Sequence, residues 1–350
     1  MEMINKCDLC ETGLYSTVPF YHLQEFNLVL CPQCGLGITN PRPGIDEIGK
    51  YYSNAYYSFI PENSERYFIK KIFELCAQRK KKQIAAFIFY WLKERVKQDI
   101  LIEFQRVNTE AFFGKKLFSK TLQGILRPMV FIPYVSGGKI LDIGCGFGKF
   151  LLRAKKAGWD AYGIEVSDSA VDVARRMGLQ VKKIDGRFET VDFPEEFFDC
   201  ILLNNVLEHC HYPKRALNQC YRILKKNGYL IVVVPNFDCY DRRIFKQYWG
   251  HLDIPRHLYH FNPHTLSALL VKVGFCIEKI KYKKWFVSYT SAINFRNLRR
   301  SLKGKRFFEK AAVLSQTYFK IKIKKKIILP FVKDSDTLLG QGLGFYARKS

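Results

Sequence analysis

At 350 residues, 48% hydrophobic and 25% charged, the chain can bury one large core and still carry a small extra module. The longest candidate apolar run, Ile84–Leu92, has nine residues, well short of the ~20 a membrane-spanning helix needs. The amino-terminal stretch is polar and has cysteines where a secretion leader has its apolar segment, so a cytosolic protein is expected.

The net charge of +25 is concentrated: residues 66–127 carry +10 and residues 279–328 carry +15, whereas residues 1–65 carry −5. An anionic partner is expected against the two basic stretches, whether a lipid surface, a nucleic acid or a phosphorylated substrate.

The first element is a cysteine pattern. Cys7-x2-Cys10 and Cys31-x2-Cys34 are separated by 20 residues, the spacing of a site that presents four thiolates to one tetrahedral zinc ion. Gly35 lets the backbone fold back over the second pair. A disulfide framework is disfavoured by the cytosolic signs, and the other seven cysteines read as small core residues. Residues 1–38 are therefore expected to form a zinc ribbon. The turn-rich exit Asn40-Pro41-Arg42-Pro43-Gly44 opens a linker over 39–61 that contains the aromatic run Tyr51-Tyr52…Tyr56-Tyr57.

Residues 62–136 read as a basic helical insert with no glycine before Gly114. Ile84–Leu92 is flanked by Arg79–Lys82 and by Lys93, Arg95 and Lys97. Such a helix either lies in an anionic membrane interface or packs on the protein's own core with a solvated basic face. A second basic-apolar stretch, Lys320–Lys326, leaves the same choice open.

Between them lies the most informative segment. Ile140-Leu141 leads through Asp142 into Gly144, Gly146 and Gly148, and an amphipathic stretch with Phe150, Leu151, Leu152, Ala154 and Ala157 follows. That is strand, glycine turn and helix, a layout that brings backbone N–H groups close to a nucleotide-like ligand. The spacing is G-x-G-x-G rather than the dinucleotide pattern, and the acid two residues before the first glycine would repel a pyrophosphate. It suits a ligand with positive charge and no phosphate, such as S-adenosylmethionine (SAM). Twenty-three residues after Asp142, Glu165 ends a second strand, placed to bind the two ribose hydroxyls. Ser167-Asp168 then signals a helix start. A strand over Gln180–Ile184 ends in Asp185-Gly186, and a fourth, Phe198–Asn205, runs into Val206-Leu207-Glu208-His209. A helix over Pro213–Leu224 and a buried strand over Tyr229–Val234 complete the pattern.

This block resembles the class I SAM-dependent methyltransferases over about residues 137–283, with a closing strand near Gly344–Arg348. The resemblance implies an α/β fold: a Rossmann-like sheet with helices on both faces, to which the ribbon and the helical insert are added. The expected organisation is ribbon 1–38, linker 39–61, insert 62–136, SAM-binding core 137–283 and a basic extension over 284–350. It further implies that Asp142, Gly144, Gly146, Gly148, Glu165, Asp185 and Asn204 bind SAM, with Asp185 at the adenine amine. The "NPRP…YY…Y" linker is similar to that of bacterial methyltransferases with an amino-terminal zinc ribbon, and Leu207-Glu208-His209 resembles the "LEH" of ubiquinone-pathway O-methyltransferases.

After the fifth strand, Trp249–Phe261 resembles the "DxPRHLYHF" signature of bacterial small-molecule and surface-polysaccharide methyltransferases. The resemblance places Trp249, Asp253 and Arg256 against the acceptor, with Arg256 holding an anionic part of it and helping to keep His257 neutral. His257 is the expected general base, with His260 second and Glu208 and His209 as the other acid–base pair. Bracing of the loop by these histidines is the competing reading. His209 and His211 could ligate a metal, but no surrounding acid/histidine cluster is visible in the sequence, so metal-dependent hydrolysis has little support.

The expected activity is methyl transfer to a small-molecule, sugar or lipid-linked acceptor. Two alternatives remain: an RNA methyltransferase using the basic surface, and a non-catalytic SAM-binding module for a membrane or partner protein. The first lacks the N-P-P-Y type motif after the fourth strand, where Asn204-Asn205-Val206-Leu207 stands.

Overall fold

The computed structural model describes residues 1–15, 17–23, 25–52, 132, 135–284 and 340–350. The expectations for the basic helix at 84–92 and the basic stretch at 320–326 fall outside these residues.

The chain opens with two cysteine turns and three short strands, β1 (Pro19–Leu23), β2 (Phe26–Leu30) and β3 (Gly37–Thr39). The carbonyls of Cys7 and Cys31 accept from Glu11 N–H and Gly35 N–H at 2.8 and 2.9 Å, which closes each turn. Gly35 takes φ = 74°, a conformation side chains resist.

β4 (Lys139–Ile143) then starts the central sheet and feeds the glycine turn into α1 (Lys149–Lys156). β5 (Asp160–Glu165), α2 (Asp168–Arg176), β6 (Gln180–Lys183), β7 (Phe198–Asn204), α3 (Pro213–Ile223) and β8 (Leu224–Pro235) follow. Ser167 caps α2 by accepting from Ala170 N–H, and Pro213 begins α3 where a missing N–H costs nothing. A short helix, α4 (Tyr240–Phe245), and the loop to β9 (Tyr259–His260) precede α5 (Pro263–Val273), which starts on a capping box between Asn262 and Thr265. β10 (Phe275–Lys284) and β11 (Gly340–Lys349) finish the sheet.

The seven strands lie in the order β10-β11-β8-β7-β4-β5-β6, parallel from β8 to β6 and antiparallel at β11. The order reverses between β4 and β7, and ligands of such sheets bind at the carboxyl edge of that switch point. Purely apolar strand faces hold it together: Ile140, Leu141, Ile201, Leu203, Leu230 and Val232 are fully buried. Among the described residues, the strands and helices expected for the 137–283 core and the closing strand are present within a few residues of their predicted ends, and the helical insert expected over 62–136 falls almost wholly outside the described residues. β8 starts earlier, at Leu224, because Leu224 pairs with Phe198 across an irregular register.

One pairing was not expected. β9, from the loop after the fifth parallel strand, adds to the ribbon as the outer strand of a four-stranded sheet in the order β1-β2-β3-β9, with Gly37 opposite His260 and Ile38 opposite Tyr259. Leu36, Ile38, Leu258 and Phe261 join the same apolar core as the central sheet. Each such side chain is worth about 1.5–3 kcal/mol when buried.

Candidate active site

The glycine turn is anchored by the next strand. Gly144 and Cys145 N–H donate to Ile164 O at 2.8 and 3.1 Å. Gly144 sits at φ = 71°, and a Cβ there would lie 2.6 Å from Val206 Cγ2, so the turn and the Leu207–His209 turn are packed together. A Cβ on Gly146, at φ = 53°, would meet open space.

Glu165 Oε2 accepts from Gly146 N–H at 2.7 Å, and Oε1 accepts from Val166 and Ser167 N–H at 2.8 and 2.9 Å. A carboxylate offers about four acceptor directions. Three are taken by backbone, so Glu165 supports the turn itself and keeps about one direction for a ribose hydroxyl instead of gripping two. Asp142 is buried, and burial, with the charge of Glu165 second, holds its carboxyl well above the usual range. Among the described residues no lysine or arginine is paired with either acid. Two buried acids beside an open backbone turn fit a ligand that supplies its own positive charge, as the sulfonium and amino group of SAM do. Asp185 is exposed, accepting from Arg187 N–H at 3.0 Å, and Asn204 is exposed at the carboxyl end of β7.

Across Val206, the Leu207–His209 turn meets the loop before β9. Leu258 N–H donates to Glu208 O at 2.8 Å. His209 and His257 lie ring to ring at 4.6 Å. His209 Nδ1 is 3.0 Å from Arg256 O and 2.9 Å from Tyr52 Oη, and His257 Nδ1 is 2.9 Å from His251 O. Burial keeps both imidazoles neutral by lowering their pKa, for His257 with help from His209, His260 and His251. Burial also pushes the Glu208 carboxyl up to about 8. Glu208, His209 and His257 thus form the acid/histidine cluster that was not visible in the sequence, because its third member lies 48 residues on from His209.

The surroundings of Arg256, Asp253, Trp249 and His260 differ from those expected. Among the described residues, the Arg256 guanidinium is paired with Asp253 through Nε–Oδ2 at 3.0 Å and through a second, shorter contact, and reaches Tyr51 O at 3.3 Å, so its charge is already balanced by a carboxylate of its own loop. The neutrality of His257 therefore comes from burial and neighbouring imidazoles, and Asp253 serves Arg256. Trp249 is 1% exposed and packs with Leu28, Phe237, Phe245 and Leu252, so it is core and not pocket wall. His260 lies 6.4 Å from His257, ring to ring. Its Nε2 meets Thr39 Oγ1 at 3.3 Å, and burial lowers its pKa to about 3. A weak base already engaged is a brace.

Tyr52 and Thr39 escaped the sequence reading. Tyr52 lay within the aromatic run assigned to the linker, and nothing local marks Thr39.

The four amino-terminal sulfurs cluster as well. Cys7 Sγ and Cys34 Sγ are 3.5 Å apart, Cys10 Sγ and Cys31 Sγ 3.4 Å, and all four lie within 4.8 Å of one another. Tetrahedral Zn–S bonds of ~2.3 Å put sulfurs about 3.8 Å apart. The thiols fit a zinc ion.

A methyltransferase-domain family model matches residues 114–280. That stretch therefore carries a methyltransferase domain, similar to those of the class I SAM-dependent methyltransferases. Among its relatives are the ubiquinone biosynthesis O-methyltransferase of Alkalilimnicola ehrlichii, 33% identical over 28% of this chain and 41% of that protein, and the malonyl-[acyl-carrier protein] O-methyltransferase of Pectobacterium atrosepticum, 25% identical over 40% and 54%. An uncharacterized protein of Methanocaldococcus jannaschii is 40% identical over 28% of this chain and 41% of its own. The chain spans only about half the length of these relatives, 41% to 54%. A solved SAM-dependent methyltransferase of Thermotoga maritima, a possible histamine N-methyltransferase, superposes with a TM-score of 0.40 at 21% identity, covering 63% of this chain and 84% of that one. No helix among the described residues is long and apolar enough to cross a membrane.

Proposed function

We propose that this protein transfers the methyl group of SAM to a hydroxyl of a small-molecule, sugar or lipid-linked acceptor. One observation carries the reading. The glycine turn with its two buried acids and the Glu208–His209–His257 cluster are packed against each other through Gly144 and Val206 at the carboxyl edge of the sheet. SAM supplies an electrophilic methyl group there. The chain's own residues then hold the cofactor and prepare the acceptor.

Asp142 and Glu165 balance the cofactor's charge, and the Glu165 carboxylate shapes the turn that receives it. On the acceptor side, His251 O fixes the hydrogen of His257 on Nδ1 and leaves the Nε2 lone pair for a proton. Neutral at physiological pH, His257 is able to take that proton as the acceptor oxygen attacks. His209 is oriented the same way by Arg256 O. The relatives named as O-methyltransferases support oxygen as the methylated atom. In the same reading Cys7, Cys10, Cys31 and Cys34 hold a structural zinc ion.

Incubating the protein with methyl-labelled SAM and fractionated cell extract tests this. Label in polar metabolites or lipid supports it. Label confined to RNA, or none in any fraction although SAM binds, rejects it.

A further inference from the structure

The Glu208–His209–His257 cluster holds more than a proton acceptor requires. Glu208 is 1% exposed, and neither of its carboxylate oxygens has a hydrogen-bond partner among the described residues. Leaving such a group buried and unpaired is costly. The two histidines beside it point their hydrogens away. Each Nδ1 faces a backbone carbonyl, Arg256 O for His209 and His251 O for His257. A carbonyl only accepts, so each Nδ1 carries the hydrogen and each Nε2 keeps a lone pair. The nearest other acid, Asp253, is 3.8 Å from His257 Nε2 and is already paired with Arg256. Apart from the Tyr52 hydroxyl, which lies on the Nδ1 side of His209 at 2.9 Å, the cluster is thus rich in acceptors and lacks a donor among the described residues. What it needs is a cation.

We propose that Glu208, His209 and His257 bind a first-row divalent transition ion, zinc or ferrous iron by donor type, at a site separate from the four cysteines. A carboxylate oxygen and one nitrogen from each ring lie within 4.8 Å of one another. Bonds of ~2.1 Å in a tetrahedral arrangement put donors about 3.4 Å apart, so small side-chain movements close the site. Two imidazoles with one carboxylate favour such ions over magnesium or calcium, which take oxygen. Backbone carbonyls on both Nδ1–H groups are the outer contacts that orient metal-binding histidines. Three protein donors leave a position open, as catalytic sites do and structural sites do not. The inference goes beyond methyl transfer, because ion binding is read without any acceptor.

The test uses the full chain loaded with zinc at its cysteines and then titrated with zinc chloride, the bound metal being counted after dialysis. Wild type is expected to hold two ions per chain. Glu208→Gln, which keeps the shape and removes the charge, and His257→Gln should each hold one, with second-site affinity lowered at least ~10-fold. His264→Ala, an exposed histidine outside the cluster, should keep two. Cobalt added to the zinc-loaded wild type should show visible absorption without a thiolate charge-transfer band, a readout that needs no variant to fold. One ion at saturating zinc, two ions retained in both cluster variants, or no new cobalt band overturns the site. Methyl transfer by protein that stays at one ion at saturating zinc would end this inference and leave the methyltransferase reading standing.

Discussion

Thr39, the last residue of the ribbon's third strand, donates its hydroxyl to the backbone carbonyl of His257 at 2.7 Å, with both residues buried. The same hydroxyl oxygen meets His260 Nε2 at 3.3 Å. A single side chain from the amino-terminal module therefore contacts two of the three histidines between Trp249 and Phe261, His257 and His260. Thr39→Val, which keeps the shape and removes the oxygen, should cost about 1–3 kcal/mol of stability by orphaning buried partners. Turnover should fall while calorimetric SAM affinity stays within about twofold. A variant with unchanged turnover would separate the ribbon from catalysis.

Glu165 is expected to behave as more than a ribose ligand. Glu165→Gln places an amide NH2 against the backbone N–H groups of Gly146 or of Val166 and Ser167, donor against donor. SAM affinity should fall roughly 10- to 1000-fold, consistent with the loss of one or two charge-assisted bonds, and the melting temperature should drop as well. Calorimetry with SAM and a thermal melt on the same sample check both halves.

His257→Ala should leave SAM binding intact and lower turnover about 10²–10⁴-fold with the true acceptor at saturating SAM. The same loss is expected whether the ring accepts the proton or holds an ion. Turnover near wild type would remove it from the mechanism and make His209 the next candidate.

The buried histidines set a pH dependence. His260, with a pKa of about 3 in the fold against about 6.5 when unfolded, contributes stability that is present above pH 6.5 and lost as pH falls toward 3. Between pH 7 and pH 5 its share of the loss is about 2 kcal/mol. Urea unfolding at the two pH values should show a shallower decline in His260→Gln than in wild type. Equal declines would mean that the ring is charged in the fold.

Chelation of the zinc ion proposed at Cys7, Cys10, Cys31 and Cys34 should be felt at a distance. The ribbon is too small to keep its shape without the ion, and its third strand carries β9. Hydrogen exchange across residues 251–262 should rise on metal removal and recover on zinc addition. Unchanged exchange there would show that the strand pairing survives without the metal.

Much of the core was legible because its signals are local. The glycine turn after Ile140-Leu141, the acid ending β5 and the Asn262-Pro263 helix start each act over a few residues, where steric and hydrogen-bonding rules apply directly. The acceptor side was legible by residue type only. Trp249 looked like a pocket wall because an aromatic in a histidine-rich loop has no sequence mark for facing inward, toward Leu28. Arg256 looked like an anion site because its partner, Asp253, is three residues away on a turn that no periodicity reveals. The Glu208–His257 juxtaposition and the β3–β9 pairing join distant parts of the chain. No window of sequence contains either.

That pairing also imposes an order on assembly. During synthesis β3 emerges long before its partner: Thr39 precedes His257 by 218 residues. The amino-terminal module therefore waits with an open strand edge until most of the central sheet has been made, and contacts of such long range close slowly. A chain trimmed to begin after the ribbon would invert the problem, leaving Tyr259-His260 as an unprotected edge ready to pair with a neighbour. The two parts are better regarded as one folding unit that happens to carry two chemistries.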